Sequence, residues 1–142
     1  MKVIYKPSSE VRSHFSETID KAVYDKPQFI KRTHDQTVLL STELLSAVLT
    51  DVSFICDVQK EENGSYVITN REIDDIIGVG ATIEEAKDDL AKQLLEYAHE
   101  YYEEYGLYSR SPNRKKHLTY VLKLLAINDF KRIKGLLNAE VE

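Results

Sequence analysis

Carboxylates are the most abundant groups in this 142-residue sequence that could perform chemistry. They are concentrated in one short stretch, at Glu72, Asp74, Asp75, Glu84, Glu85, Asp88 and Asp89. Two neighbouring carboxylates could hold Mg²⁺ in a nuclease or share acid–base work. Residues 84–89, however, fall at the start and on the outer face of a predicted helix, where acidic groups favour the helix dipole and stay hydrated. The pattern favours a solvated helix face.

The histidines, the cysteine and the glycine pair form no recognisable catalytic motif. No pair at a metal-ligand spacing occurs among the scattered histidines, which are His14, His34, His99 and His117. Cys56 alternates with Phe54 and Val58, which predicts a small buried side chain and not a nucleophile. Residues 78–80, Gly-Val-Gly, lack the third glycine of a dinucleotide fingerprint and are interpreted as a tight turn. We therefore predict a binding protein without enzymatic activity, catalytic residues, metal or cofactor.

The distribution of charge predicts different partners for different segments. Residues 51–109 carry 4 Lys/Arg against 15 Asp/Glu, whereas residues 110–142 carry 8 against 3. An acidic middle segment repels DNA, so we expect any DNA contact at the ends of the chain. A single cysteine permits no internal disulfide, and no apolar run is long enough for a membrane span. These features predict a cytoplasmic protein with no membrane contact.

Residues 1–50 have the pattern of a strand, a helix, two strands and a short helix. The first strand is predicted at residues 3–6, and Ser8 or Ser9 is predicted to cap the helix that follows. One face of this helix is expected to be apolar, with Val11, Phe15, Thr18, Ile19 and Ala22. Fifty residues make a thin core, and dimerisation would be a natural remedy.

The start of this helix is the best candidate for nucleic-acid contact. Arg12 lies within its first turns, and Lys6 precedes it. The candidate DNA-binding residues are Lys6, Ser8, Ser9, Arg12 and Ser13. Hydroxyls, free backbone N–H groups and an arginine suit a phosphate or a base edge. An ordinary exposed helix end is an equally good interpretation of the same residues.

The middle segment predicts three strands and a long helix. Residues 54–59 alternate as a strand, Asn63-Gly64 is a hairpin signal, and residues 65–69 and 76–80 are expected to form two more strands. Thr82 is predicted to cap a helix that runs to about Tyr105. Beyond a basic loop, the tail predicts a short amphipathic helix from Leu118 and another capped by Asn128 or Asp129.

Tyrosines crowd the end of the long helix. They are either core and rim residues or part of a protein interface, since tyrosine combines apolar area with a polar tip. The candidate partner-binding residues are Tyr97, Tyr101, Tyr105 and Tyr108. The basic cluster that follows is either a solvated loop or an anion-binding patch, and it consists of Arg110, Arg114, Lys115 and Lys116.

Residues 1–50 resemble the N-terminal domain of the Phd/YefM antitoxin family. The resemblance rests on the opening strand, on Val11-Arg12 and Phe15-Ser16 in the helix, on Lys26-Pro27, and on residues 38–41, Val-Leu-Leu-Ser. It implies a homodimer that binds operator DNA with the start of the first helix. Arg12 matches the arginine of that helix, and Ser8, Ser9 and Ser13 flank it.

Residues 53–98 resemble the HicB antitoxin domain, a degenerate RNase H-like β-β-β-α unit. The carriers are residues 54–58 (FICDV), the hairpin at 63–64, residues 65–70 (SYVITN) and residues 80–86 (GATIEEA), which match the family pattern G-x-T-x-E-E-A. The resemblance implies a non-catalytic domain that binds a cognate toxin.

Together these patterns predict an α+β protein that is the antitoxin of a type II toxin–antitoxin system. Residues 1–50 would form a Phd/YefM-like dimerisation and DNA-binding domain, residues 51–108 a HicB-like partner-binding domain, and residues 109–142 a basic loop and helical tail. The expected partners are a small basic protein toxin, whose charge an acidic surface would steer, and operator DNA. The alternatives are a protein-interaction module without DNA binding, a stand-alone transcriptional repressor and, third, a metal-dependent nuclease.

Overall fold

The computed structural model describes residues 4–141, and their side chains as far as residue 137. The fold is α+β with two separate sheets, as the sequence predicts. The chain divides into two compact units, residues 1–45 and residues 46–142. Among residues 4–141, no helix combines the length and the apolar character that crossing a bilayer requires.

The first unit is built on a three-stranded sheet in the order β1-β2-β3. Strand β2 is parallel to β1 and antiparallel to β3. Its elements are β1 (Tyr5–Pro7), α1 (Ser8–Ser13), α2 (Phe15–Tyr24), β2 (Gln28–Arg32), β3 (Asp35–Leu39) and the start of α3 (Thr42–Val48). This order confirms the predicted one, with a single predicted helix replaced by α1 and α2.

The helical segment of the first unit differs from the prediction at its start and at its middle. The residue that caps α1 is Pro7, and no side chain bonds to this helix end. The predicted serine cap is therefore wrong: Ser8 already lies in the first helical turn, because Pro7 supplies the extended residue that precedes it. The backbone leaves the helical conformation at His14 (φ −130°, ψ 43°), which divides the segment into two short helices.

The core of the first unit is small. Val11, Thr18, Ala22 and Gln28 are its buried side chains among the described residues. Phe15, which was predicted to face the core, is 58% exposed at the first position of α2, directly after the break at His14. Several other large apolar side chains of this unit are also exposed, namely Ile4, Val23, Tyr24 and Val38.

The second unit contains a four-stranded sheet in the order β6-β5-β4-β7. Neighbouring strands β4, β5 and β6 are antiparallel, and β7 is parallel to β4. Its elements are β4 (Phe54–Lys60), β5 (Tyr66–Asn70), β6 (Ile77–Gly80), α4 (Ile83–Glu103), α5 (Tyr105–Tyr108), a 3₁₀ turn (Lys115–His117), α6 (Leu118–Ile127), α7 (Phe130–Lys134) and β7 (Leu137–Val141). Strand β7 was not predicted from the sequence.

The local signals of the second unit are confirmed. Gly64 adopts a left-handed φ of +88° in the hairpin loop, a conformation that glycine adopts without strain. The Thr82 hydroxyl accepts a hydrogen bond from the N–H of Glu85 (3.1 Å), and the Glu85 carboxylate accepts one from the N–H of Ala81 (3.0 Å). The two bonds satisfy backbone donors at the start of α4 in the manner of a capping box.

The glycine pair of residues 78–80 is explained by packing and not by the predicted turn. Both glycines lie in β6, directly beneath α4. A Cβ atom at Gly78 would lie 2.3 Å from the backbone oxygen of Ala86, and one at Gly80 would lie 2.4 Å from the nitrogen of Ala86. Only residues without a side chain allow the strand and the helix to approach this closely.

The core of the second unit is large and includes the buried ammonium group of Lys123. Its largest fully buried side chains come from the sheet, from α4 and from the tail, and include Phe54, Ile68, Ile73, Leu90, Leu94, Tyr101, Leu124 and Ile133. Lys123 on α6 is buried as well, and its ammonium donates to the carbonyl oxygens of Leu49 (2.8 Å), Thr50 (3.2 Å) and Val52. The tail therefore completes this unit as an integral part of its core.

Candidate functional site

The predicted DNA-binding residues lie together at the junction of β1 and α1. Lys6 is on β1, and Ser8, Ser9, Arg12 and Ser13 are on α1. Arg12 is exposed, and its guanidinium makes no hydrogen bond or ion pair with the residues that the structure describes. Its charge is thus available to a ligand.

The serine hydroxyls are less available than the sequence predicts. Ser13 donates its hydroxyl proton to the carbonyl oxygen of Ser9 (3.1 Å), four residues back in the same helix. Ser8 is half-buried and Ser9 is exposed. Arg12 and Ser9 therefore offer the most accessible polar groups of the predicted set.

A group of lysines near Lys6 adds positive potential that the sequence analysis missed. The Lys6 ammonium donates to the side-chain oxygen of Gln28 (3.0 Å). The pKa of Lys6 lies below its usual value, chiefly through desolvation and then through the proximity of Lys21, with a smaller contribution from Lys26. Lys21 and Lys26 add positive potential beside Lys6, which Glu10 offsets in part, and a net positive potential attracts anions. Because Lys21 and Lys26 come from the end of α2 and the loop after it, no local motif indicates them.

The predicted tyrosine cluster is divided between core and surface. Tyr97 and Tyr101 are buried, so these two are core residues and the prediction that they contact a partner is not compatible with their placement. Desolvation raises the pKa of both phenols. Tyr101 donates to the carbonyl oxygen of Arg114 (3.1 Å), and Tyr108, which is half-buried, donates to the carboxylate of Glu100 (2.9 Å).

Part of the basic cluster serves the same aromatic core. The guanidinium of Arg114 lies 4.5 Å from the ring centre of Tyr108 and 5.5 Å from that of Tyr97, which is the range of a cation–π contact. Hydrogen bonding to Tyr97 raises the pKa of Arg114 above its usual value. Arg114 is therefore structural, while Arg110, Lys115 and Lys116 are exposed.

A different set of side chains forms the exposed aromatic surface at the end of α4. Tyr105 is 46% exposed, Tyr102 is 66% exposed and Leu107 is 67% exposed. Glu103 and Glu104 are exposed between them. We call these five residues the acidic aromatic surface. Of the four predicted partner-binding tyrosines, Tyr105 alone belongs to it, and Tyr108 lies half-buried beside it.

Several of the side chains considered for catalysis have structural partners. Cys56 is fully buried, and burial raises its thiol pKa to about 11. The ammonium of Lys134 lies 2.8 Å from a carboxylate oxygen of Glu84 and 2.8 Å from one of Asp88. Asp89 accepts a hydrogen bond from the N–H of Val79 (2.9 Å). These carboxylates thus connect α4 to α7 and to β6.

Comparison with known proteins identifies the family. The family model PHD-like, described as "Antitoxin of toxin-antitoxin, RelE / RelB, TA system", matches residues 3–139. The chain belongs to this antitoxin family. It is accordingly an antitoxin of a toxin–antitoxin system, a class whose members have a protein toxin as their partner.

One solved structure agrees with this assignment along its whole length. It is the crystal structure, at 1.80 Å, of an antitoxin part of a proposed toxin/antitoxin system from Syntrophomonas wolfei subsp. wolfei. The two chains are 32% identical, each is covered completely, and the TM-score is 0.87. None of the curated proteins matches the chain.

Proposed function

We propose that this chain neutralises its toxin by direct binding through the second unit and represses its own operon through the first. The observation that carries the proposal is the division of exposed groups between the two units. The first unit presents a free arginine and a group of lysines, whereas the second presents an aromatic surface among carboxylates. In this proposal the first unit is Phd/YefM-like and the second is HicB-like. Residues 1–50 form the dimerisation and DNA-binding segment, residues 51–108 the partner-binding segment, and residues 109–142 a basic loop and helical tail. The protein acts in the cytoplasm.

The acidic aromatic surface is the proposed toxin contact. Tyrosines dominate the energetics of many interfaces because they bury a large apolar area and keep a polar tip. The neighbouring carboxylates Glu103 and Glu104 would attract a basic toxin and increase the rate of association. Tyr105 packs edge-on against the buried ring of Tyr101 (centres 6.2 Å apart), and the half-buried Tyr108 contacts the same ring (5.5 Å).

The test of the toxin contact begins with a tagged full-length chain purified from its native cells and sized with any bound protein. We expect a small basic protein to be recovered. The purified toxin is then titrated with Tyr105→Ala, which we expect to weaken binding at least tenfold because the variant lacks the central aromatic ring. Ile77→Ala, at an exposed apolar residue of β6 outside the acidic aromatic surface, is the control and should bind like the wild type. If Tyr105→Ala binds the toxin as tightly as the control variant does, the toxin contact lies elsewhere.

The DNA contact is proposed at Arg12, with Lys6 and the neighbouring serines in support. Arg12→Ala should weaken binding to the DNA upstream of the operon about tenfold or more and leave the fold intact. The dependence of affinity on salt should become less steep, by about 0.9 in the logarithmic slope for each phosphate that the variant no longer neutralises. Lys60→Ala, which removes one positive charge from the second unit, is the control.

Two outcomes of this DNA titration distinguish the alternative functions. A wild-type chain that binds no DNA at any salt concentration is a protein-interaction module. A chain that binds DNA and is recovered from cells without a second protein is a stand-alone repressor.

The first unit is proposed to act as a homodimer. Its exposed apolar side chains, among them Phe15, Tyr24 and Val38, have no cover within their own unit. Burial of such a patch against a second copy is the common way to complete a thin core. A dimer would also present two copies of Arg12 to a symmetric operator.

A further inference from the structure

A pocket of the second unit combines two carboxylates with a buried imidazole. It has a volume of about 340 Å³ and is lined by Asp74, Asp75, Ser111, Asn113, Arg114, Lys116 and His117. The carboxylates come from the loop between β5 and β6, and the imidazole comes from the 3₁₀ turn before α6. The toxin and DNA contacts proposed above use none of these three ligand-type residues.

The loop that carries the two aspartates is held in a defined conformation. Asn70 is buried, and its amide donates to the carbonyl oxygens of Ile73 (2.8 Å) and Ile76 (2.9 Å). The same side chain accepts a hydrogen bond from the N–H of Ile73 (2.6 Å). Ile73 is fully buried and anchors the loop in the core. Asp74 and Asp75 are exposed at the next two positions. Because Asn70 and Ile73 hold the loop, the backbone that carries the two aspartates is preorganised.

His117 supplies the observation that a surface acidic pair would lack. Its side chain is 2% exposed. Its Nδ1 lies 2.7 Å from the hydroxyl of Tyr97, whereas its Nε2 is buried and has no hydrogen-bond partner among the residues that the structure describes. A metal ion on Nε2 would select the tautomer that carries the ring proton on Nδ1 and donates it to Tyr97. Metal-binding histidines are commonly held in this way by a hydrogen bond to the other ring nitrogen.

The three groups lie close enough together to reach one metal ion. One imidazole nitrogen and one oxygen from each aspartate lie within 4.8 Å of one another. In a tetrahedral zinc site with bonds of about 2.1 Å, the ligand atoms are about 3.4 Å apart. Small side-chain rotations of the exposed aspartates would therefore close the site. Among the described residues, Asp74, Asp75 and His117 form a group of three potential metal ligands at this spacing.

Two cationic side chains, Arg114 and Lys116, also line the pocket, and Arg114 interacts electrostatically with Asp75. The guanidinium of Arg114 is stacked on Tyr108 and Tyr97. Lys116 is exposed and can turn to solvent. Ser111 and Asn113 offer oxygen atoms near the site, and water can complete the coordination.

We propose that Asp74, Asp75 and His117 form a binding site for a divalent transition-metal ion, with Zn²⁺ as the best fit. One nitrogen and two carboxylate oxygens suit Zn²⁺ better than Mg²⁺, which prefers oxygen ligands alone. The ion would join the loop between β5 and β6 to the segment that follows α4. Bound metal would thus stabilise the attachment of the tail to the sheet.

The experiment is calorimetric titration of ZnCl₂ into the metal-stripped full-length chain at pH 7.5. We expect one zinc ion per chain and, with Co²⁺ instead, the visible absorption of a four-coordinate site. Asp74→Asn and Asp75→Asn should each lower zinc affinity at least tenfold and leave the far-ultraviolet circular dichroism unchanged, since both side chains are exposed. Millimolar Mg²⁺ should not compete.

Two control variants separate this site from adventitious binding. Asp88→Asn removes an acidic group on α4, and His99→Gln removes an exposed imidazole that is bonded to Asn128. Both should bind zinc like the wild type. The proposal is overturned if the wild type binds no zinc, or if the Asp74→Asn and Asp75→Asn variants bind zinc as tightly as the wild type. It is also overturned if His99→Gln abolishes zinc binding.

Discussion

The two units of this antitoxin differ in how completely they bury their apolar side chains. The second unit packs helices α4, α6 and α7 and a four-stranded sheet around side chains such as Leu94 and Tyr101 that are fully buried. Among the described residues, the first unit buries Val11, Ala22, Thr18 and Gln28, and leaves Phe15 and Tyr24 exposed. The second unit resembles a complete domain, and the first resembles half of one.

The difference follows from size and from the role of the tail. A unit of about 45 residues has too much surface for its volume to form a large core. The second unit is about twice as long, and its tail contributes α6, α7 and an additional strand to the same core. We therefore expect the stability of the second unit to be independent of protein concentration. The stability of the first unit should increase with concentration, because it depends on pairing with a second copy of the chain.

The largest effect is expected in the core of the second unit. Leu94→Ala should lower its free energy of unfolding by about 2–5 kcal/mol, because a fully buried leucine leaves a cavity. Urea titration followed by tyrosine fluorescence measures the change. Leu107→Ala, at a leucine that is 67% exposed, should cost about 0.5 kcal/mol or less. Similar losses for both leucines would show that the second unit is not packed as described.

A smaller and different effect is expected in the first unit. Phe15→Ser should weaken the homodimer about tenfold or more, because the apolar area that Phe15 buries against the second copy is removed. Sedimentation over a range of concentrations measures the dissociation constant. Tyr102→Ser, at an exposed aromatic residue of the second unit, should leave the dimer unchanged. If the wild-type chain remains a monomer at every concentration, the first unit is not completed by a second copy.

The smallest effect is expected at the N-termini of helices α4 and α1, which differ in whether a side chain caps them. Thr82→Ala should destabilise the second unit by about 1 kcal/mol, because the variant cannot accept the capping hydrogen bond from the N–H of Glu85. Ser8→Ala should stay within about 0.5 kcal/mol, since no side chain caps α1. Thermal unfolding of both variants, each compared with the wild type, gives the two values. A larger loss for Ser8→Ala would mean that its hydroxyl has a partner in the dimer.

The sequence predicted the elements whose signals are local. Asn63-Gly64 marks a hairpin, Thr82 and Glu85 mark the start of α4, and Asp129 caps α7 through the N–H of Arg132 (3.1 Å). These features depend on residues a few positions apart, so their chemistry can be recognised without the fold. The antitoxin assignment came from such patterns too, because a family resemblance is carried by the same short motifs.

The candidate sites were predicted less well, since they depend on distant residues. The tyrosines share one spacing pattern, but only the packing of the tail decides that Tyr97 and Tyr101 are buried and that Tyr102 and Tyr105 are not. The positive group at Lys6 includes Lys21, which is fifteen positions away in the chain, a distance that local spacing does not reveal.

The sequence by itself determined the order of most strands and helices, the acidic middle and the basic tail, and the resemblance to antitoxin families. Periodicity, capping and turn chemistry act over a few residues and can therefore be recognised directly in the sequence. Only the tertiary structure decided that β7 pairs with β4, that Gly78 touches α4, and that His117 meets Asp74 and Asp75. These contacts join residues far apart in the chain, because burying the common apolar surface brings their elements together.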